Sequence, residues 1–320
     1  SISSFIPQDK LFHDSKDKNE SEKRMYIWFF FTSIISMVIL FMLLIFSEIS
    51  FLFIFAISIT PLLIPGIIAY MEENLVIRRD RQFPVYARVL GSAIDVRGGG
   101  VVSALKSTQV HDFGVLNQMS LNLYKRLKLS CDKFKSWYYF AQESSSNLIM
   151  HFSKIFSESV YLGGDAGKIG EIVSKNMLRI ISMRKLRYQL SQGLRAAFYS
   201  SLIGLTATMY VTAEISSMLI EIFNAPGGME DDMFSFINSV MPHAMSVDFS
   251  GVMLMMGILI IAHSAASSIV MKIIDGGTMY AALVDFIIMI WIGAALAYFL
   301  PGIVGNILPD FSGIWVNPSP

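Results

Sequence analysis

The sequence predicts an all-α polytopic membrane protein, with about five transmembrane helices and a cytoplasmic antiparallel helical bundle inserted among them. Three observations predict it. Charged residues make up 16% of the 320 residues and hydrophobic residues 53%, against about 25% and 45–50% in ordinary soluble domains. Five apolar runs reach the roughly 20 residues that a helix needs to cross a hydrocarbon core about 30 Å thick. Between the second and third runs lies a long stretch of helical spacing with few strand signals.

The elements follow in order. Residues 1–24 carry mixed charge and read as a cytoplasmic tail; they lack the short apolar core of a signal peptide. Met25–Phe46 is the first run, free of charge, and Ile49–Tyr70 is the second, so residues 25–72 form a tight transmembrane hairpin. Pro61 and Pro65 are expected to kink its second helix, since each removes a backbone donor and crowds the preceding turn. Ala196–Ile220, Gly251–Met271 and Ala281–Leu300 are the remaining runs, within a second membrane region at 196–320. Pro301–Leu308 is short and broken by Gly and Pro, and reads as a frayed end or interfacial segment.

Charge placement sets the direction. Of 25 basic residues, 19 lie between Met71 and Arg195, five in the first 24, and the last is Lys272. Glu221–Ser250 holds no Lys or Arg but carries Glu221, Glu230, Asp231, Asp232 and Asp248. Lys and Arg stay on the cytoplasmic side. The N-terminus is therefore expected inside and the C-terminus outside the cell membrane.

Residues 73–195 form the inserted domain, with about six helices. Leu116, Leu123 and Leu127 recur at near-heptad offsets. Pro84 stands where a helix is expected to begin. Breaks are expected at Gly98–Gly100, at Asp112 with Gly114, at Ser144–Ser146, and at Gly163, Gly164 and Asp165. The last helix, from about Gly167 to Arg195, is long enough to continue into the third span. Between Met71 and Arg195 the 19 basic residues face 10 acidic ones. Headgroup attraction explains the bases near the membrane. It explains less well Lys125, Arg126, Lys128, Lys133 and Lys135, which lie far along the chain from any span. These read as one exposed tip for a protein partner, with a solvated surface as the alternative. No nucleic-acid reader motif appears.

Several motifs look chemical and are read as structural. Gly163, Gly164, Gly167 and Lys168 suggest a phosphate-cradling loop, but the glycine spacing is one residue short and Ile169 replaces the hydroxyl. The reading is a helix-connecting turn. The five histidines show no metal-ligand spacing. The one cysteine, Cys131, excludes an internal disulfide and is expected as a small buried apolar side chain. No catalytic, cofactor or metal constellation emerges. Within the runs, Glu214, His263 and Asp285 are costly in lipid and must face the bundle or a watery cavity. Tyr210, Thr212, Ser264 and Ser267 are candidate donors to the two acids. A transporter or channel subunit using these three residues is the competing reading.

Residues 80–195 resemble the F family of type II secretion and type IV pilus systems, most closely the archaeal flagellar (archaellum) or pilus platform protein. The resemblance rests on Phe83-Pro84 with Arg88, the glycine break with Val101, Ser103, Ala104 and Leu105, the Asp112, Gly114, Leu116 turn, and Gly163-Gly164 leading through Ile169 and Ile172. Members often carry two such domains; this chain has one. The resemblance implies a non-enzymatic platform, a homodimer, that couples a hexameric cytoplasmic secretion ATPase to the assembly of pilin-like or archaellin subunits into a filament. Lys125, Arg126, Lys128, Lys133 and Lys135 are then the expected ATPase contacts, with Arg88 and Arg97 as further ones.

Overall fold

The computed structural model describes residues 20–46, 50–97, 100–224 and 249–307. Among them are ten α-helices, short 3-10 turns and no strand: α1 (Glu20–Phe46), α2 (Phe51–Ile59), α3 (Leu63–Arg97), α4 (Gly100–Thr108), α5 (Asn117–Lys128), α6 (Lys133–Ser144), α7 (Asn147–Tyr161), α8 (Ala166–Asn224), α9 (Phe249–Asp275) and α10 (Ala282–Ile307). Among the described residues, four stretches are long and apolar enough to cross a membrane: Tyr26–Phe46, Phe51–Val96, Gly251–Asp275 and Met279–Val304. The expected run Ala196–Ile220 is the second half of α8 and is not among the four. Ser200, Ser201, Thr206, Thr208, Thr212, Glu214, Ser216 and Ser217 dilute its apolar character. The acidic residues between 225 and 248, and Gly98 and Gly99, lie outside the described residues.

The chain divides into two units. The first is built on Leu62–Gly193 and Val270–Leu283, with α1 as far as Ser33. Its core forms because α3 presents Phe83, Tyr86, Ala87 and Leu90, all buried, on one face at helical spacing. Leu116, Met119, Leu123 and Leu127 close over them from α5 and its lead-in turn, Trp137 and Phe140 from α6, Phe156 from α7, and Val173 and Met177 from α8. The Tyr86 and Phe140 rings stack at 5.8 Å, and Phe113 meets Tyr86 edge-on at 5.2 Å. Burying each such ring contributes about 1.5–3 kcal/mol.

Pro84 does not begin a helix, contrary to expectation: α3 starts at Leu63 and runs through it. The buried stripe on both sides of Pro84 outweighs one lost backbone bond. Pro61 falls within a 3-10 turn, Thr60–Leu62, that separates α2 from α3. The other breaks stand where local chemistry placed them. Gly114 adopts φ +55° and donates to Asp112 Oδ1. Ser145 adopts φ +55°, and Ser146 caps α7 by accepting from the Ile149 amide. Gly163 adopts φ +89°, and Asp165 Oδ1 accepts from the Lys168 amide at 3.0 Å, in the first turn of α8. The glycine-and-lysine motif is thus a turn between two helices. A β-carbon on Gly91 would strike the Ala166 carbonyl, and one on Gly170 would lie 2.7 Å from the Ala87 carbonyl oxygen. These two glycines let α3 and α8 touch backbone to backbone.

The second unit comprises Ile34–Pro61, Leu194–Ile269 and the chain from Val284. Here α1 and α2 exchange bonds: Ser36 Oγ donates to the Ser58 carbonyl at 2.6 Å, and Ser58 Oγ to the Ser36 carbonyl at 2.7 Å. Trp291 Nε1 donates to Thr60 Oγ1 at 3.2 Å. Gly293 leaves room for Ile260, which a β-carbon would meet at 2.8 Å. The segment after Leu300 is not frayed through residue 307, as α10 continues through Pro301 to Ile307.

Candidate functional site

The expected basic tip is the turn between α5 and α6. Lys125, Arg126 and Lys128 occupy the last turn of α5, where cations favour the negative helix end. Ser130 turns the chain at φ +58°, and Asp132 caps α6 by accepting from the Lys135 amide. Lys125, Lys128, Lys133 and Lys135 are exposed. Lys133 Nζ lies 5.1 Å from the Tyr161 ring centre, and Lys128 Nζ 5.9 Å from that of Tyr124. Arg126 differs: it pairs with Glu143 and lies 5.4 Å from the Tyr139 ring centre. Its charge is engaged within the bundle. Cys131 is exposed, contrary to the expected burial. It stands in the tight turn that Ser130 creates, where no core residue can pack. Arg88 is exposed on α3, a different element, and the side chain of Arg97 lies outside the described residues.

Two carboxylates near these helices deviate in acidity. The backbone N–H of Gly114 and then the Asn117 amide hold the Asp112 carboxyl below the usual range. For Asp165, the Lys168 amide N–H and then the Lys168 ammonium lower it, and Lys168 is raised in turn.

The sequence reading missed two buried ion pairs, both in the first unit. Asp80 on α3 accepts from Arg184 Nη1 of α8 at 2.8 Å and from the Ser146 hydroxyl; the two charged side chains are 4% and 6% exposed. Arg79 Nη1 donates to the Ser144 carbonyl at 3.0 Å. Glu73, also on α3, takes Lys272 Nζ at 2.7 Å, the Thr278 amide at 2.5 Å and Thr278 Oγ1 at 2.9 Å. Lys272 ends α9, and Gly276 and Gly277, at φ +81° and +98°, carry the chain over to Thr278. A β-carbon on Gly277 would strike the Glu73 carboxylate, so that turn can close on it only through glycine. The Arg187 guanidinium of α8 covers Gly276. The clue was Lys272, the single Lys or Arg after Arg195, since a buried lysine requires a carboxylate.

The intramembrane residues do not assemble. Asp285 pairs with Arg195 at 3.1 Å and accepts from Tyr199 Oη at 3.1 Å, both on α8. These replace the expected Tyr210, Thr212, Ser264 and Ser267, because Asp285 lies near the start of α10, level with the start of the apolar half of α8. Glu214 is half-buried on α8, and His263 is half-buried on α9 with Nε2 unbonded. Among the described residues, no hydrogen bond or ion pair joins these three to one another.

Long apolar helices, with buried charges held in the Asp80–Arg184 and Glu73–Lys272 pairs, define an all-α polytopic membrane protein. Along nearly its whole length it is similar to flagella accessory protein J. The protein of that name from Methanocaldococcus jannaschii is 32% identical over 312 residues, 95% of this chain and 55% of the relative. That from Methanococcus voltae is 29% identical over 317 residues, 96% of this chain and 56% of the relative. The chain therefore spans about half the length of the curated relatives it matches, and the resemblance to the archaeal flagellar protein is borne out. No family model and no solved structure matches.

Proposed function

We propose that this chain is a non-enzymatic platform component of an archaellum or related type IV pilus-like machine in the cell membrane. It couples a cytoplasmic hexameric ATPase to the insertion of pilin-like or archaellin subunits into the filament. The similarity to flagella accessory protein J over 95% of the chain carries this reading. Two features support its mechanics. The α5–α6 turn offers four exposed lysines, Lys125, Lys128, Lys133 and Lys135, whose field steers an acidic partner and sets its register. From Ala166, α8 runs unbroken to Asn224, which gives a displacement one continuous helix to travel along. Asp285 is already neutralised by Arg195, which weighs against an ion path through it.

In this reading residues 73–195 face the cytoplasm, the second half of α8 is a fifth span, and the C-terminus is external. The test is binding of the cognate ATPase to the full chain in detergent across a salt series. Reversing Lys125, Lys128, Lys133 and Lys135 to Glu is expected to weaken binding at least tenfold and flatten its salt dependence. Unchanged affinity and unchanged salt dependence remove the docking role of the tip.

A further inference from the structure

We infer that the cleft between α3 and α8 is a binding site for a phosphate-bearing anion, supplied by a lipid headgroup. A cavity of about 310 Å³ opens there, lined by Ile77, Asp80, Arg81, Ile181, Arg184, Lys185 and Tyr188. It holds three cationic side chains and one carboxylate, and the carboxylate is already spent. Asp80 gives one oxygen to Arg184 and the other to Ser146. Arg81 and Lys185 are both exposed, and neither is bonded to an acidic side chain among the described residues. Two unmatched cations therefore face a cleft whose remaining walls, Ile77, Ile181 and Tyr188, are apolar or aromatic. A guanidinium beside an ammonium suits a phosphate: the first offers a fork of N–H donors, the second a point charge.

The near edge of the cavity also lies at the depth a headgroup occupies. Glu73 is bonded to Lys272 and Thr278, at the turn between the apolar helices α9 and α10, which marks one membrane face. Ile77 is one helical turn from Glu73, about 6 Å along the axis. Headgroups extend about 5–8 Å beyond the hydrocarbon on each face. On α8, Tyr188 adjoins Arg187, which covers Gly276 of the same turn. Acyl chains would rest against the apolar helices while the phosphate meets Arg81 and Lys185, whose long stems reach toward the surface. The inference does not rest on the proposed function.

Native mass spectrometry of the full chain, released from phosphatidylcholine nanodiscs with or without phosphatidylglycerol, counts retained lipid. Arg81→Gln with Lys185→Gln is expected to lower phosphatidylglycerol affinity on the order of 10- to 30-fold, from the usual contribution of each surface base. The swap Arg81→Lys with Lys185→Arg retains it, and thermal melting without lipid checks that each variant folds. Lys125→Gln with Lys128→Gln, far along the chain, leaves retention unchanged. If inorganic phosphate protects the chain against heat and phosphatidylglycerol does not, the site stands but its ligand is soluble. The inference is overturned if retention survives the double glutamine change, or if neutralising the distant lysines lowers it equally.

Discussion

The Glu73 carboxylate collects three donors, one from the end of α9 and two from Thr278 in the turn after it, and its partner Lys272 is 5% exposed. Neither charge is tolerable there without the other. Lys272→Met is expected to leave Glu73 buried and lower stability by about 3–5 kcal/mol. Adding Glu73→Gln should recover a good part of the loss, since the amide still accepts from Thr278 without carrying a charge. Thermal melting of the two variants in one detergent checks this. Equal stability of Lys272→Met and the parent would mean that the pair is open to water. The Asp80–Arg184 pair follows the same logic but gains a third partner, Ser146, whose hydroxyl both caps α7 and bonds the carboxylate. One serine thereby ties the start of α7 to α3 and, through Asp80, to α8.

Among the elements, α3 and α8 organise the first unit, and their contact depends on the absence of side chains. Gly91 faces Ala166 and Gly170, and Gly170 faces Ala87 and Gly91. Gly170→Val keeps the helical backbone acceptable but drives its side chain into the Ala87 carbonyl. The expected cost is roughly 1–3 kcal/mol, as for other overpacked sites. Gly193→Val, on the same helix with open space around it, should change stability far less. Comparing the two variants separates helix contact from helix propensity, and similar losses at both positions would contradict the contact. The long α8 was legible in the sequence because its start is local chemistry, a Gly-Gly-Asp turn followed by a long stretch free of proline. Pro84 misled because its local preference was overridden by the buried stripe of Phe83, Tyr86, Ala87 and Leu90. A single-position rule cannot see that stripe, whereas helical spacing applied across the proline would have.

At the scale of the whole molecule, the apolar runs and the helical class were legible because bilayer thickness and composition alone dictate them. The run within α8 was less so, since its Ser and Thr residues bond the helix's own carbonyls, as Thr208 does to Gly204, and lower its apolar character without ending the helix. The candidate site was half legible. The α5–α6 lysines are consecutive enough to read as a tip, but the capture of Arg126 by Glu143 is a three-dimensional fact. The Glu73–Lys272 pair joins residues 199 apart, which no local pattern can connect.

If residues 73–195 face the cytoplasm as proposed, an ATPase can push on them there. Cys131, the single cysteine of the chain and exposed beside the lysines of the tip, reports this directly. With a membrane-impermeant maleimide, no labelling of Cys131 is expected in intact cells and full labelling after lysis. Labelling in intact cells would place the tip outside the cell and rule out a cytoplasmic ATPase contact there.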